Sequence, residues 1–151
     1  MSNATNAFKL EARPAESRDV TAIARLAGEL GYPSTAEQVK DRLAYLEGDP
    51  RHATFVAAVT EDEVIGWIHL SEVRSLGSEP RAEITNLVVD SRFRGAGTGR
   101  LLVERGERWA RERGLAVIGL RSNVIRERAH VFYARLGYTV TKSQKVFRKK
   151  L

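Results

Sequence analysis

The feature that most constrains this chain is a glycine-rich turn set between an apolar run and an amphipathic stretch. Ala82–Val89 reads as a strand, Asp90-Ser91-Arg92-Phe93-Arg94-Gly95-Ala96-Gly97-Thr98-Gly99 follows, and Thr98–Arg113 places Gly99, Leu102, Val103, Gly106, Trp109 and Ala110 on one helical face. A strand that turns through glycines straight into a helix is an anion site for two physical reasons. The first N–H groups of a helix have no internal acceptor. The helix dipole adds roughly half a positive charge at the same place. Gly95, Gly97 and Gly99 let phosphate oxygens come close to the backbone with no Cβ in the way. Thr98 can add a hydroxyl and Arg94 a charged fork.

The spacing excludes two common phosphate motifs. A P-loop needs Gly-x-x-x-x-Gly-Lys-Ser/Thr, and no Lys follows here. A dinucleotide fingerprint needs Gly-x-Gly-x-x-Gly on the first strand of a βαβ unit, whereas this turn follows the fourth strand. Arg94-Gly95-Ala96-Gly97-Thr98-Gly99 does fit Gln/Arg-x-x-Gly-x-Gly/Ala.

Charge reinforces the reading. Residues 1–91 carry 9 basic and 15 acidic side chains, whereas residues 92–151 carry 16 and 4, so an anionic partner is expected at the second half. A phosphorylated cofactor, a nucleic acid and a solvated basic face are all compatible with that split. The 151 residues suit one domain. With 42% hydrophobic and 29% charged residues the chain is not of disordered composition. No apolar run approaches the ~20 residues of a membrane span, so no membrane association is expected. There is no Cys, which removes disulfides, thiolate metal sites and a Cys nucleophile and fits a cytoplasmic setting. No secretory segment follows Met1, and Ser2-Asn3-Ala4 has the look of an expression-tag remnant. Residues 1–5 are therefore read as a disordered or tag-derived tail, and residues 6–151 as a single domain.

Periodicity and punctuation predict the remaining elements. Phe8, Leu10 and Ala12 alternate as a first strand ended by Pro14. Val20, Ile23, Ala24, Ala27 and Leu30 have helical spacing up to Gly31. A capping box, Ser34 with Glu37 or Thr35 with Gln38, opens a second helix that buries Val39, Leu43 and Leu46. Thr54–Thr60 and Val64–Val73 read as a hairpin, followed by a loop around Gly77 and Pro80. After the Gly-rich turn and its helix come a strand at Leu115–Arg121, a helix at Arg126–Leu136, and two short strands near Tyr138–Thr141 and Lys145–Lys149. The order predicts a three-layer α/β domain with a mixed sheet.

Together these residues resemble the GNAT superfamily, the Gcn5-related N-acetyltransferases. Leu87-Val88-Val89-Asp90 resembles the family's fourth strand, and Leu101-Leu102 the apolar pair after the turn. Asn123, Ala129 and Phe132-Tyr133-Ala134-Arg135-Leu136-Gly137-Tyr138 resemble its second signature. The resemblance implies a mostly antiparallel mixed sheet whose fourth and fifth strands are splayed.

It also implies roles. Arg94, Gly95, Ala96, Gly97, Thr98 and Gly99 would hold the pyrophosphate of acetyl-CoA, and Leu87, Val88 and Val89 would pair with its pantetheine arm through the main chain. Asn123 matches a position that hydrogen-bonds the pantetheine, or it is a helix cap. Tyr133 matches the phenol near the thioester sulfur that can protonate the leaving thiolate, or it is a core aromatic beside Phe132. Glu83 is the first candidate for a base, or it is a surface carboxylate paired with Arg81. Strand alternation puts Glu83, Thr85, Leu87 and Val89 on one face and Ile84, Asn86 and Val88 on the other. Asn86 stands where many relatives have an acidic residue, which weakens a base role there. His69 is a second candidate base, and His130 is expected to face solvent. Arg100, Arg126 and Arg128 are candidates for the 3′-phosphate of CoA.

The implied activity is transfer of acetyl from acetyl-CoA to a primary amine of a small molecule by direct attack in a ternary complex. No metal is expected. Glu29, Glu37, Asp41 and Glu47, with Tyr32 and Tyr45, would surround the acceptor and favour a cationic one. The alternatives are a protein, peptide-lysine or N-terminal acetyltransferase, and a non-catalytic module that senses acyl-CoA. Nucleic acid is not an expected partner, although Lys142, Lys145, Arg148, Lys149 and Lys150 cluster near the end. A homodimer is a family expectation.

Overall fold

The computed structural model describes residues 9–151. The tail at residues 1–5 and the placement of Phe8 in a strand lie outside the described residues. The chain divides into two compact units, one ending at Arg121 and one spanning Ser122–Leu151.

The first unit holds β1 (Glu11–Pro14), α1 (Val20–Glu29), α2 (Ala36–Leu46), β2 (His52–Ala58), β3 (Val64–Ser75), β4 (Ser78–Val89), α3 (Thr98–Glu112) and β5 (Ile118–Leu120). The strands lie in the order β1-β2-β3-β4-β5, antiparallel except for the parallel β4–β5 pair. This is the mixed, mostly antiparallel sheet that the element order predicts.

Hydrophobic spacing decides which face each helix covers. Ile23, Ala24, Leu26 and Ala27 of α1 and Val39 of α2 bury against Val56, Trp67 and Val88, a row of residues opposite one another on three adjacent strands. On the other face Leu102, Val103, Gly106 and Trp109 of α3 are buried. A Cβ at Gly106 would come within 2.7 Å of the Leu70 side chain, so the glycine permits the close seating of helix on sheet. Of the two possible capping boxes the chain uses the second. Thr35 Oγ1 accepts from the Gln38 N–H at 3.1 Å, and Gln38 Oε1 accepts from the Thr35 N–H at 3.0 Å.

One residue changes the geometry of β4. The register runs Ile84 opposite Leu70 and Asn86 opposite His69, which leaves Thr85 as an extra residue. Glu83, opposite Ser71, and Asn86 therefore lie on the α1–α2 face, whereas Ile84 and Leu87 lie on the α3 face. This overturns the simple alternation, because a bulge shifts the period-2 pattern by one. Pairing of β4 with β5 ends at Ile84, beside the bulge. Beyond it, Thr85–Val89 have no strand partner on that side among the described residues. The two strands are splayed, and β5 ends at Leu120, where its partner's ladder breaks, while Leu115–Val117 of the expected Leu115–Arg121 strand precede it as irregular chain.

Two other expectations are corrected. The loop around Gly77 and Pro80 is instead a tight hairpin, with Ser75 opposite Ser78. Pro80, which has no N–H to donate, falls within an irregularity between Val73 and Ser75. The second unit contains α4 (Glu127–Arg135), and among the described residues 138–151 form no strand. A two-stranded ribbon alone is marginal. The intervening Thr141-Lys142-Ser143-Gln144 also lacks the Gly or Asn of a tight hairpin turn. Val140, Val146 and Phe147 are exposed.

Candidate active site

The Gly-rich turn is organised by a residue that the sequence reading passed over. Asp90 is fully buried, and its carboxylate accepts from the Arg92 N–H (3.0 Å), from Arg92 Nε and Nη2 (3.1 and 2.9 Å) and from Arg25 Nη1 (3.2 Å). The Arg92 hydrogen bonds, opposed by burial and aided by Arg25, hold this carboxyl well below the usual carboxylate range. An Asp closing an apolar strand with an Arg two residues later was the available signal. From Asp90 the chain makes a 3-10 turn, Ser91–Phe93.

Gly95 and Gly97 then adopt the left-handed conformation (φ +83° and +84°). A Cβ at either would meet nothing within 4 Å, so the space over the turn is open. The Ala96 N–H is bonded to Phe93 O at 3.3 Å, and the free amides lie at the start of α3. Leu101 is the first amide of α3 bonded one turn back, to Gly97 O at 3.0 Å, which leaves Thr98, Gly99 and Arg100 at the orphan positions. The Thr98 hydroxyl is buried without a hydrogen-bond partner, and Arg100 is bonded to Glu104 at 2.8 Å. Arg94 is exposed on the rim. An open glycine cradle with orphan amides fits the pyrophosphate of a nucleotide cofactor. Beside it, the unpaired edge of Leu87, Val88 and Val89 offers main-chain groups to a ligand amide.

A cavity of about 580 Å³ lies between α1–α2 and the sheet. Ile23, Ala27, Leu30, Val39, Leu43, Leu46 and Trp67 line it with apolar surface, and Tyr32, Ser34, Asp41, Arg42, Tyr45, Thr54, His69, Thr85 and Asn86 supply polar groups. The Trp67 indole N–H is buried with no partner. Among the acidic residues expected around an acceptor, only Asp41 lines this cavity. Glu29 accepts from the Ser91 N–H instead, and Glu47 lines a neighbouring cavity.

The two candidate bases differ in placement. Glu83 lies on the α1–α2 face but pairs with Arg121 at 3.5 Å, not with Arg81, and it does not line the cavity. His69 does line it, and its Nε2 is 3.1 Å from His52 Nδ1 with the rings stacked. Burial, with the nearby His52 second and Asn86 opposing both, pushes the His69 pKa down to about 4.

In the second unit, Asn123 Oδ1 accepts from the Ile125 N–H at 3.1 Å, and its carbonyl accepts from the Arg126 N–H at 3.0 Å. Its side chain thus closes the turn leading into α4. His130 Nε2 bonds the same carbonyl at 3.0 Å. Tyr133 packs edge-on against Phe132 and Tyr138, and burial, partly offset by Arg126, pushes its phenol up to about 12.

The acetyltransferase (GNAT) family model matches residues 18–138, which is most of the chain. The chain belongs to the GNAT family. Among curated proteins, the mycothiol acetyltransferase of Propionibacterium freudenreichii is 34% identical over 106 residues, covering 70% of this chain and 33% of that protein. The chain thus spans about a third of the length of the curated relative it matches. Glucosamine-6-phosphate N-acetyltransferase from Arabidopsis thaliana superposes with a TM-score of 0.79 at 20% identity, covering 94% of this chain and 99% of that one. An aminoglycoside N-acetyltransferase solved with CoA gives 0.82 at 17% identity, covering 94% and 95%. At such identities these structures share the GNAT fold with this chain. No described helix is long and apolar enough to cross a membrane.

Proposed function

We propose that this GNAT protein moves an acetyl group from acetyl-CoA to the primary amine of a small molecule, by direct attack in a ternary complex. The observation that carries the proposal is the open turn at Gly95 and Gly97, which leads into the orphan amides of α3 and follows an unpaired stretch of β4. Arg94, Gly95, Ala96, Gly97, Thr98 and Gly99 hold the pyrophosphate, Thr98 through its main chain because its hydroxyl is buried. Leu87, Val88 and Val89 hold the pantetheine amides. When bound, acetyl-CoA supplies a thioester whose carbonyl carbon an amine attacks.

Asn123 and Tyr133 are carried over from the second signature, Asn123 as a hydrogen-bonding contact to the pantetheine and Tyr133 as hydrogen-bond donor to the leaving thiolate. A phenol pushed up to about 12 stays protonated throughout the working range, as a donor to a thiolate must. Glu83 is held by Arg121 and does not line the cavity, so it is given no part in the transfer. The cavity of about 580 Å³ has the size of a small-molecule site. That supports a small acceptor over a folded protein. Its one carboxylate and apolar floor favour an amine carried on a partly apolar body over a polycation.

A thermal-shift titration with acetyl-CoA, with desulfo-CoA and ATP as controls, tests the donor site. Ligand at 100 times its dissociation constant should add about 2.7 kcal/mol of stability. A shift with acetyl-CoA and none with ATP is expected, and no shift with either CoA compound removes the proposal. Thiol release across an amine panel then tests transfer. Tyr133→Phe should lower turnover by about 100-fold and leave the acetyl-CoA shift in place.

A further inference from the structure

Two cavities flank the inner face of α2, and two histidines join them. The acceptor cavity is lined by His69, Leu43, Leu46 and Thr54 among others. A second cavity of about 490 Å³ shares Leu43, Leu46 and Thr54 but is lined by His52 and carries Lys40, Glu47 and Asp49. Between them the ring nitrogens of His69 and His52 stand 3.1 Å apart, with ring centroids 5.3 Å apart. The pairing is set by the sheet. Thr54 is opposite His69 and His52 is opposite Ser71, so the two rings are diagonal neighbours on one face of β2 and β3.

We propose that His69 and His52 form a path that carries the acceptor's ammonium proton out of the acceptor cavity to the second cavity. This rests on the transferase reading above. The acceptor enters as R–NH3+. One proton leaves its nitrogen for the second ring nitrogen of His69, where the ammonium takes the place of the Asn86 amide, the Nε2 proton of His69 moves to His52 Nδ1, and the far nitrogen of His52 releases one proton to water in the second cavity. The net change is one proton moved from ammonium to solvent, and the amine keeps the electron pair with which it attacks the thioester.

The surroundings keep the entry to the path neutral at rest. The apolar walls from Ile23, Leu43 and Trp67 disfavour a lasting cation beside His69, which stays neutral above about pH 4. The charged and titratable groups facing the first cavity are Tyr32 after α1 and Asp41, Arg42 and Tyr45 on α2. Asn86 of β4 stands beside His69 and, being an amide, can serve either ring tautomer. Glu83, two register rows further along β4, is occupied by Arg121.

The test compares His69→Gln, His52→Gln and Glu83→Gln in the full chain, each first shown to fold by its melting temperature and to keep the acetyl-CoA shift. Thiol release is followed from pH 6 to 10 with the best amine of the panel. His69→Gln should lower kcat/KM at least tenfold at pH 7, with the loss shrinking toward pH 10 as the amine deprotonates unaided. His52→Gln should show the same pH signature with a smaller loss, and Glu83→Gln little change. A wild-type pH profile in His69→Gln, or a tenfold loss confined to Glu83→Gln, overturns the path. Ring-nitrogen NMR of the unliganded protein gives an activity-free reading. The His69 signals should shift in His52→Gln, and unchanged signals would also overturn it. Failure of the transferase reading looks different: the wild type itself would show no acetyl-CoA shift.

Discussion

The glycine cradle and the cavity proposed for the acceptor belong to the same unit but are made of different material. The cradle is main chain: Gly95 and Gly97 in left-handed conformation, the first amides of α3, and the unpaired edge of β4. The cavity is side chain: Trp67, His69, Tyr45 and the apolar residues of α1 and α2. A main-chain site is damaged by adding atoms at a glycine and is indifferent to most side-chain changes around it. A side-chain site behaves the opposite way. One family can therefore keep a common donor site while its acceptor sites diverge.

The largest effect should come from breaking the seat that supports the cradle. Gly106→Val places atoms where a Cβ alone would approach Leu70 to 2.7 Å, and should destabilise by about 3 kcal/mol, read by denaturant titration. Asp90→Asn should cost about 1–3 kcal/mol by stripping charge from a buried hydrogen-bonded group. Because the folded carboxyls of Asp90 and of Asp19, which is buried just before α1 and accepts from Arg13 Nη1 at 2.7 Å, titrate below the ordinary range, their stabilisation is complete above about pH 4 and is lost as the pH falls through the lowered values. Acid unfolding of Asp90→Asn should accordingly be less steep than that of the wild type.

Smaller substitutions separate the two sites. Gly97→Ala forces an L side chain into left-handed backbone, a strain of about 1–2 kcal/mol, and should weaken acetyl-CoA binding about tenfold with the acceptor KM unchanged. Tyr45→Ala should do the reverse, raising the acceptor KM and leaving the acetyl-CoA shift intact. The least effect is expected of Thr35→Ala, which removes the α2 cap at a cost of about 1 kcal/mol, visible as a small drop in melting temperature.

The same contrast explains what was legible in the sequence. Glycine spacing and the helix after it revealed the cradle, because main-chain geometry is written in local residue choice. The helices α1, α2 and α3 and the capping at Thr35 were legible for the same reason. The face assignment of Glu83 and Leu87 was not, because a bulge depends on pairing with β3, and nothing local at Thr85 marks it. The His52–His69 pair was invisible for a related reason: the residues are 17 apart in sequence and meet only through strand register. The strands expected at residues 138–149 rested on alternation alone, and alternation does not supply a partner strand.

The open edge along Thr85–Val89 has a further consequence. An unpaired run of backbone inside a sheet is the sort of surface on which chains pair with one another and precipitate. A donor whose own amides close that edge serves the sheet as a surrogate strand. The protein stored without CoA should then exchange the amide hydrogens of this stretch faster and lose solubility sooner than the protein stored with it. Shelf life would itself become a measure of occupancy.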